Sequence, residues 1–178
     1  LVDDLLDVSR MDRDLVTLRR EPIAISELLR SVVRLQQGEA DKKHILLELK
    51  ADSDETVSAD RDRLTQVITN LIANAINYTP EGGKVTLMLQ TLAAEKCLEI
   101  SVADTGIGIP AEHLSHIFKP FFRVPNETLA VKGSGLGLAI SKEIIDLHSG
   151  SLVVESIAGS GSRFIVRLPL ENHAQAAH

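Results

Sequence analysis

The segment from residue 60 to residue 78 constrains the fold more than any other part of the sequence. Its apolar residues recur at helical spacing, which predicts a helix with one buried face: Leu64, Val67, Ile68, Leu71, Ile72 and Ala75. Asp60 can cap the start of this helix, and residues 79–83, with a proline and a glycine pair, end it. A helix with so broad an apolar face needs another layer to pack on.

Short apolar segments on both sides of this helix predict that second layer. Alternation of apolar and polar residues predicts strands at 23–25, 45–49, 57–59, 84–91, 97–103, 152–156 and 163–168. Turns at 92–96 and 159–161 join four of these strands into antiparallel hairpins, and the tract 104–134 reads as a loop. Two further helices are predicted, one capped by Ser26 and ending near residue 43, the other over 135–148. Hairpins with helices to one side indicate an α+β two-layer sandwich.

The charge balance argues against nucleic acid as a partner. The chain has 178 residues, a net charge of -6 and no basic block, whereas nucleic-acid binding needs a concentrated positive surface. Hydrophobic residues make up 44% of the chain, enough for one folded domain with an appendage. Cys97 is the only cysteine, which excludes an internal disulfide, and no apolar run reaches the ~20 residues of a membrane helix. Because the chain begins at Leu1 rather than at Met, we expect a piece of a longer protein.

The first twenty residues predict a helix outside that domain. Its apolar residues are spaced by 4, 3, 3, 4 and 3 positions: Leu1, Leu5, Val8, Met11, Leu15 and Leu18. Such a narrow stripe is typical of a helix that pairs with another helix in a coiled coil or bundle. The alternative, a terminal helix packed on its own domain, stays open. Pro22 ends the helix, since the residue before a proline resists the helical conformation.

Three asparagines lie along one line of the helix 60–78. Asn70, Asn74 and Asn77 follow one another at i, i+4 and i+7, although asparagine is a mediocre helix former. Amide oxygens suit Mg²⁺, and the amide nitrogen can donate to a phosphate oxygen. A solvated helix face is the structural alternative.

A first glycine turn follows the strand 97–103. In the segment Asp104 to Pro110, Gly106 and Gly108 allow a tight turn and the close approach of a flat ligand. The carboxylate of Asp104, at the strand end, can accept from an exocyclic amine. The alternative is an ordinary turn in which Pro110 opens a helix.

A second glycine turn, residues 133–137, runs directly into the helix 135–148. Such a turn presents backbone N–H groups and the positive end of the helix dipole to an anion, most often phosphate. A P-loop would need Gly-Lys-Ser or Gly-Lys-Thr at its end, and the dinucleotide fingerprint has a different glycine spacing.

In this order the motifs resemble the catalytic, ATP-binding domain of bacterial sensor histidine kinases, in the group that includes DNA gyrase B, Hsp90 and MutL. The matching segments are 70–75 (N box), 104–108 (first glycine box), 117–123 (phenylalanine box), 133–137 (second glycine box) and 159–164 (last glycine motif). The resemblance implies a Bergerat-type fold, a mixed sheet of about five strands on three helices. It divides the chain into the end of a coiled-coil-like second dimerisation helix (1–22), the ATP-binding domain (23–171) and a flexible tail (172–178).

The resemblance also implies a role for each site residue. Asn74 would bind Mg²⁺ and Asn70 would support the phosphates of ATP, which makes them the catalytic pair. Asp104 would accept a hydrogen bond from the adenine amine, and Tyr78 would stack beside the base. The other implied nucleotide contacts are Asn77, Gly106, Gly108, Lys132, Gly133, Ser134, Gly135, Leu136 and Gly137.

Two departures from the family pattern bear on activity. Many family members carry Lys or Arg at Asn77, so an amide there lowers the positive charge near the phosphates. The family's phosphate-accepting histidine is absent, because none of the chain's histidines has a context like His-Glu-x-Arg-Thr-Pro: His44, His113, His116, His148, His173 and His178. We therefore expect the acceptor upstream of Leu1. The implied lid, 123–134, would be anchored at Phe118 and Phe122.

Hydrolysing relatives in this group carry a glutamate where this chain has Asn70. Because an amide cannot act as a base at neutral pH, we expect phosphoryl transfer rather than ATP hydrolysis. The γ-phosphoryl group would pass to a histidine of the chain's own upstream dimerisation domain and from there to a response regulator. We expect a homodimeric parent and a cytoplasmic domain, and the parent could be anchored in the bacterial inner membrane. A non-catalytic nucleotide-sensing module, and a serine kinase or ATPase of the same fold group, stay open as alternatives.

Overall fold

The computed structural model of the chain describes residues 17–124 and 133–170. Most of the predicted helix over 1–20, most of the implied lid, Lys132 and the tail 172–178 lie outside these residues. The last part of that predicted helix, residues 17–20, is described and is not helical. There the backbone N–H of Arg19 donates to Asp60 Oδ2 (2.9 Å) instead of to a helix carbonyl. The division of the chain into three parts stays a prediction.

One layer of the domain is a mixed sheet of five strands. Its members are β2 (Leu46–Ala51), β4 (Lys84–Leu92), β5 (Cys97–Asp104), β6 (Ser151–Ile157) and β7 (Gly161–Pro169). They lie in the order β2-β4-β5-β7-β6, with β2 parallel to β4 and all other neighbours antiparallel. A separate antiparallel pair joins β1 (Glu21–Ala24) to β3 (Thr56–Ala59). The predicted α+β class with a five-stranded mixed sheet is confirmed.

Three helices of more than one turn form the other layer: α1 (Ile25–Lys42), α2 (Arg61–Tyr78) and α4 (Gly137–Leu147). A one-turn helix, α3 (Ala111–Leu114), lies within the tract that the sequence predicted as a loop. Among residues 17–124 and 133–170, no helix combines the length and the apolar character needed to cross a bilayer.

The helix starts show why two sequence-based boundaries were wrong. Asp60 caps α2 as predicted, since its Oδ1 accepts from the N–H of Arg63 (3.1 Å). Ser26 does not cap α1, because Ala24 is the N-cap residue and the Ser26 hydroxyl donates to Asp54 instead (3.3 Å). Helix α4 begins two residues later than predicted, since Gly135 has a φ of 74°, in the left-handed region.

The hydrophobic core lies between the sheet and the helices. Along β4, Val85, Leu87 and Leu89 are fully buried and alternate with half-buried residues, as expected for a strand with one covered face. The central strand β5 is buried on both faces. Its Glu99 is only 4% exposed, and Arg163 (3.3 Å) and Arg167 (2.9 Å) pair with it.

His148, at the end of α4, ties α4 to the start of α2. Its ring is 1% exposed; Nδ1 donates to the Ile144 carbonyl (2.7 Å) and Nε2 accepts from the Asp60 N–H (2.9 Å). This pairing requires the neutral imidazole, because a protonated ring has no acceptor. Burial lowers the pKa of His148 below its usual value, and the positive charge of Arg20 adds to the effect. His148 therefore has a structural role.

The His148 contact predicts a pH-dependent stability. Because the folded-state pKa lies below the ordinary 6.5, its contribution is fully present above about pH 6.5 and is lost as pH falls below that value. We expect the melting temperature to fall more steeply between about pH 7 and pH 5 in the unaltered chain than in His148→Gln. Thermal melts followed by circular dichroism measure this. His44→Gln, at an exposed histidine, is the control, and equal slopes for the chain and His148→Gln would contradict the assignment.

Candidate functional site

A cavity of about 370 Å³ opens beside α2, α4 and the end of β5. Most of the residues predicted to bind ligand line it: Asn70, Asn74, Asn77, Tyr78, Asp104, Gly108, Gly133, Ser134, Gly135 and Gly137. Gly106 and Leu136 do not line it. The fold thus brings the asparagine helix and both glycine turns to one place, although their roles toward a ligand stay predictions.

The three asparagines of α2 differ in exposure. Asn70 and Asn74 are half-buried, and Asn77 at the last turn is exposed. Their line runs beside the buried stripe of α2, so the apolar face packs while the amides turn to the cavity.

Asn70 is oriented by α4. Its Nδ2 donates to the hydroxyl of Ser141 (2.9 Å), a buried residue one turn into α4. This bond turns Oδ1 toward Gly137, where a side-chain β-carbon would overlap the amide oxygen. The absence of a side chain at Gly137 therefore lets the two helices approach at the level of Asn70.

Asp104 presents one carboxylate oxygen to the cavity. Its Oδ1 accepts from the N–H of Gly106 (2.8 Å) and of Ser162 (3.2 Å). Within the described parts of the chain no other group donates to this carboxylate, so Oδ2 is open to a donor on a ligand. Burial raises the pKa of Asp104 above its usual value, and the two N–H donors act against that rise.

The first glycine turn makes its close approaches to the protein itself. A β-carbon at Gly106 would lie 2.5 Å from the Tyr78 carbonyl, which also accepts from the N–H of Ile107 (3.2 Å). Gly108 has a φ of 67° and lies against the Ile157 carbonyl of β6. The sequence predicted the close approach of a flat ligand at these glycines, and that role stays a prediction. The neighbour that Gly106 approaches is, however, the end of α2.

The second glycine turn is joined to the phenylalanine segment. The carbonyl of Gly135 accepts from the N–H of Phe121 (2.9 Å). Leu136 lies in the core with 1% exposure, so only its backbone is near the cavity, and its N–H donates to the Ser134 hydroxyl (3.3 Å). Since α4 starts at Gly137, the turn leads into a helix N-terminus with no acidic residue in its first turn.

Sequence reasoning missed two polar residues that line the cavity, Gln66 and Ser141. Gln66 lies four positions before Asn70 and extends the asparagine line, so spacing could have found it. Ser141 carries no signal, because only the packing of α4 on α2 brings it in, whereas Ser162, also on the cavity wall, lies in the last glycine motif. Phe122, which the resemblance places at the base of the lid, lines the cavity. The centroid of its ring lies 5.8 Å from that of the His113 ring and 5.6 Å from that of the His116 ring.

The side-chain oxygens at the cavity fit a magnesium ion that is held partly by the protein and partly by a molecule bound in the cavity. Within residues 17–124 and 133–170, no group of three or more His, Cys, Asp or Glu residues could hold a metal. Mg²⁺ commonly takes one or two protein oxygens and fills its octahedron with phosphates and waters. The half-buried amide of Asn74, on the cavity wall, supplies such an oxygen.

A family model matches most of the chain. Residues 59–172 match the model described as histidine kinase-, DNA gyrase B- and HSP90-like ATPase. The sensor histidine kinase WalK of Bacillus subtilis is 36% identical over 176 residues, which are 98% of this chain and 29% of WalK. The chain thus spans less than a third of the curated relatives it matches.

Solved structures show the same fold. The catalytic domain of histidine kinase ThkA is 33% identical with a TM-score of 0.75, and the match covers 85% of this chain and 96% of that one. Full-length ShkA in complex with AMPPNP is 31% identical with a TM-score of 0.83, over 94% of this chain and 35% of ShkA. ThkA in complex with the response regulator TrrA matches at 30% identity and a TM-score of 0.78, over 96% of this chain and 47% of that one.

The contact at Gly137 yields a test of the site. In Gly137→Ala the added methyl group must displace the Asn70 amide, so we expect the affinity for AMPPNP to fall at least about tenfold. The melting temperature should hold or rise, since alanine favours a helix start more than glycine does. Isothermal titration calorimetry and thermal melts measure both.

Gly38→Ala, in α1, is the control outside the cavity. Nothing lies within 4 Å of a β-carbon at Gly38, and Gly38 does not line the cavity, so the affinity should equal that of the unaltered chain. Equal affinity in Gly137→Ala would contradict the role given to the close contact.

Proposed function

The chain belongs to the histidine kinase-, DNA gyrase B- and HSP90-like ATPases, and within them to the catalytic domains of histidine kinases, and on that premise we propose that it supplies the ATP-binding half of a histidine kinase. It would deliver the γ-phosphoryl group of ATP to a histidine on an upstream helix. A response regulator would then receive the group. The observation that carries this proposal is one cavity that holds both an acceptor for a base amine, at Asp104, and a glycine turn at a helix N-terminus.

The two ends of the cavity suit the two ends of the nucleotide. Asp104 Oδ2 can accept from the adenine amine, and the Tyr78 side chain lies on the same wall. Gly135 precedes α4 and Gly137 is its first residue, and at this helix start backbone N–H groups and the helix dipole favour phosphate. Asn70 and Asn74 line the same cavity on α2 and can meet the phosphate chain from the other side.

Asn74 is the residue that would hold Mg²⁺. The ion, when bound, would neutralise charge on the phosphates and so ease attack by a nucleophile. The amides of Asn70 and Asn74 would hold and orient the phosphate chain, and Asn70 keeps its orientation through Ser141.

The proposed transfer needs positioning more than acid–base chemistry. A ring nitrogen of the acceptor histidine forms a bond to the γ-phosphorus as the bond from phosphorus to the β,γ-bridging oxygen breaks. ADP leaves with that oxygen, and the N–H proton of the ring passes to solvent. Imidazole is already nucleophilic, whereas water would need a base, and the amide of Asn70 cannot provide one.

Partners and location follow from the same proposal. The structure of ThkA with the response regulator TrrA supports a response regulator as the recipient of the phosphoryl group. We propose that the chain works beside its own upstream dimerisation and phosphoacceptor domain in a homodimeric parent, with the domain in the cytoplasm and the parent anchored in the bacterial inner membrane. A nucleotide-sensing module without transfer remains the second candidate, because Asn77 is an exposed amide where many family members place a cation.

Phosphoryl transfer can be tested with radiolabelled ATP. The chain alone should acquire no acid-labile label, because its histidines lack the acceptor context. Adding a separate domain that carries the upstream histidine helix should place the label on that domain, and replacing the acceptor histidine with glutamine should remove it. Label on the chain alone would contradict the missing acceptor. Nucleotide binding without any transfer would favour the sensing module.

The metal assignment predicts a specific loss in Asn74→Ala. The affinity for AMPPNP in the unaltered chain should rise with Mg²⁺, and in Asn74→Ala this gain should fall by roughly tenfold because the amide ligand is missing. Asn77→Ala is the control on the same helix and should keep the full gain. Calorimetric titrations with Mg²⁺ and with EDTA measure it. An unchanged gain in Asn74→Ala would place the metal elsewhere.

A further inference from the structure

The C-terminal end of α2 forms part of the cavity wall but has no positively charged residue of its own. Asn77 and Tyr78 line the cavity from the last turn of α2. No basic residue lies in that turn, although the last carbonyls of a helix attract positive charge and need hydrogen-bond donors.

Lys43, at the end of α1, supplies the missing cation. Its Nζ donates to three carbonyl oxygens around the end of α2: Ile76 (2.7 Å), Asn77 (3.1 Å) and Thr79 (2.7 Å). An ammonium group has three hydrogens, so this set uses all of them. Lys43 itself does not line the cavity.

The remaining carbonyls at this helix end are also satisfied, and one of them links to the first glycine turn. Ala75 accepts from both the N–H (3.1 Å) and the hydroxyl (2.6 Å) of Thr79. Tyr78 accepts from the N–H of Ile107 (3.2 Å), and Gly106 packs on the same carbonyl. These contacts therefore fix the position of the last turn of α2 relative to the segment that follows Asp104.

We infer that Lys43 is a positioning residue for the base-side wall of the cavity, formed by Asn77, Tyr78 and Asp104. This inference rests on the proposed function, since it concerns the wall assigned to adenine. Lys43 fixes the last turn of α2 through its three carbonyls, and that turn fixes the first glycine turn through the Tyr78 carbonyl. A loss of Lys43 therefore loosens the contacts to the base and leaves those to the phosphates unchanged.

The test compares Lys43→Met with Lys42→Met in the full 178-residue chain. Lys42 is the neighbouring lysine. Among residues 17–124 and 133–170 it pairs only with Glu39, on the surface of α1 (2.6 Å), so its replacement should leave binding unchanged. We expect Lys43→Met to bind ADP and AMPPNP each roughly tenfold more weakly, by the same factor, and Lys43→Arg to regain part of the loss. Equal factors exclude a contact with the γ-phosphoryl group, which ADP lacks.

Each other outcome is decisive. If Lys43→Met is folded at the assay temperature and binds both nucleotides like the unaltered chain, or loses affinity for AMPPNP alone, the inference is wrong. If Lys43→Met does not fold, Lys43→Gln, which keeps two hydrogen-bond donors, must show the same equal loss at smaller size. If the unaltered chain binds neither nucleotide, the proposed function fails, which is a different result from a failure of the Lys43 inference.

Discussion

The contact between Asn70 and α4 is the interaction on which the site depends. The Asn70 amide donates to Ser141, and its oxygen fills the space that Gly137 leaves empty. That one contact sets how closely the asparagine helix approaches the helix that follows the second glycine turn. Because a packed core tolerates little displacement, a change at Asn70, Ser141 or Gly137 alters the shape of the cavity.

Helix α2 is held at both ends by residues from other parts of the chain. At its start, the Asp60 carboxylate caps the helix and also accepts from the backbone N–H of Arg19. The backbone N–H of Asp60 donates to His148 Nε2. At its end, Lys43 holds the last carbonyls. A helix fixed in this way presents its amides at defined positions, which suits a site that works by orienting a substrate.

The sequence predicted the architecture, and most of the residues that it predicted to bind ligand line the cavity, because both depend on local patterns. The capped helix 60–78, the hairpins and the two glycine turns follow from spacing and from residue chemistry. Ser26 failed as a cap because Asp54, distant in sequence, offers its hydroxyl another partner. Leu136, predicted as a ligand contact, is buried in the core, because glycine motifs do not show which neighbours enter the core. Ser141 and Lys43 act only through tertiary packing, which no local pattern records.

Under the proposed function the cavity orients ATP and the phosphate acceptor lies on an upstream helix, so everything depends on the orientation of the nucleotide. The most direct measurement is a crystal structure of the chain with Mg²⁺ and AMPPNP. The account predicts adenine hydrogen-bonded to Asp104, phosphates against the turn that ends at Gly137, and the metal on the Asn74 amide. A nucleotide bound in the reverse orientation, or outside this cavity, would contradict it.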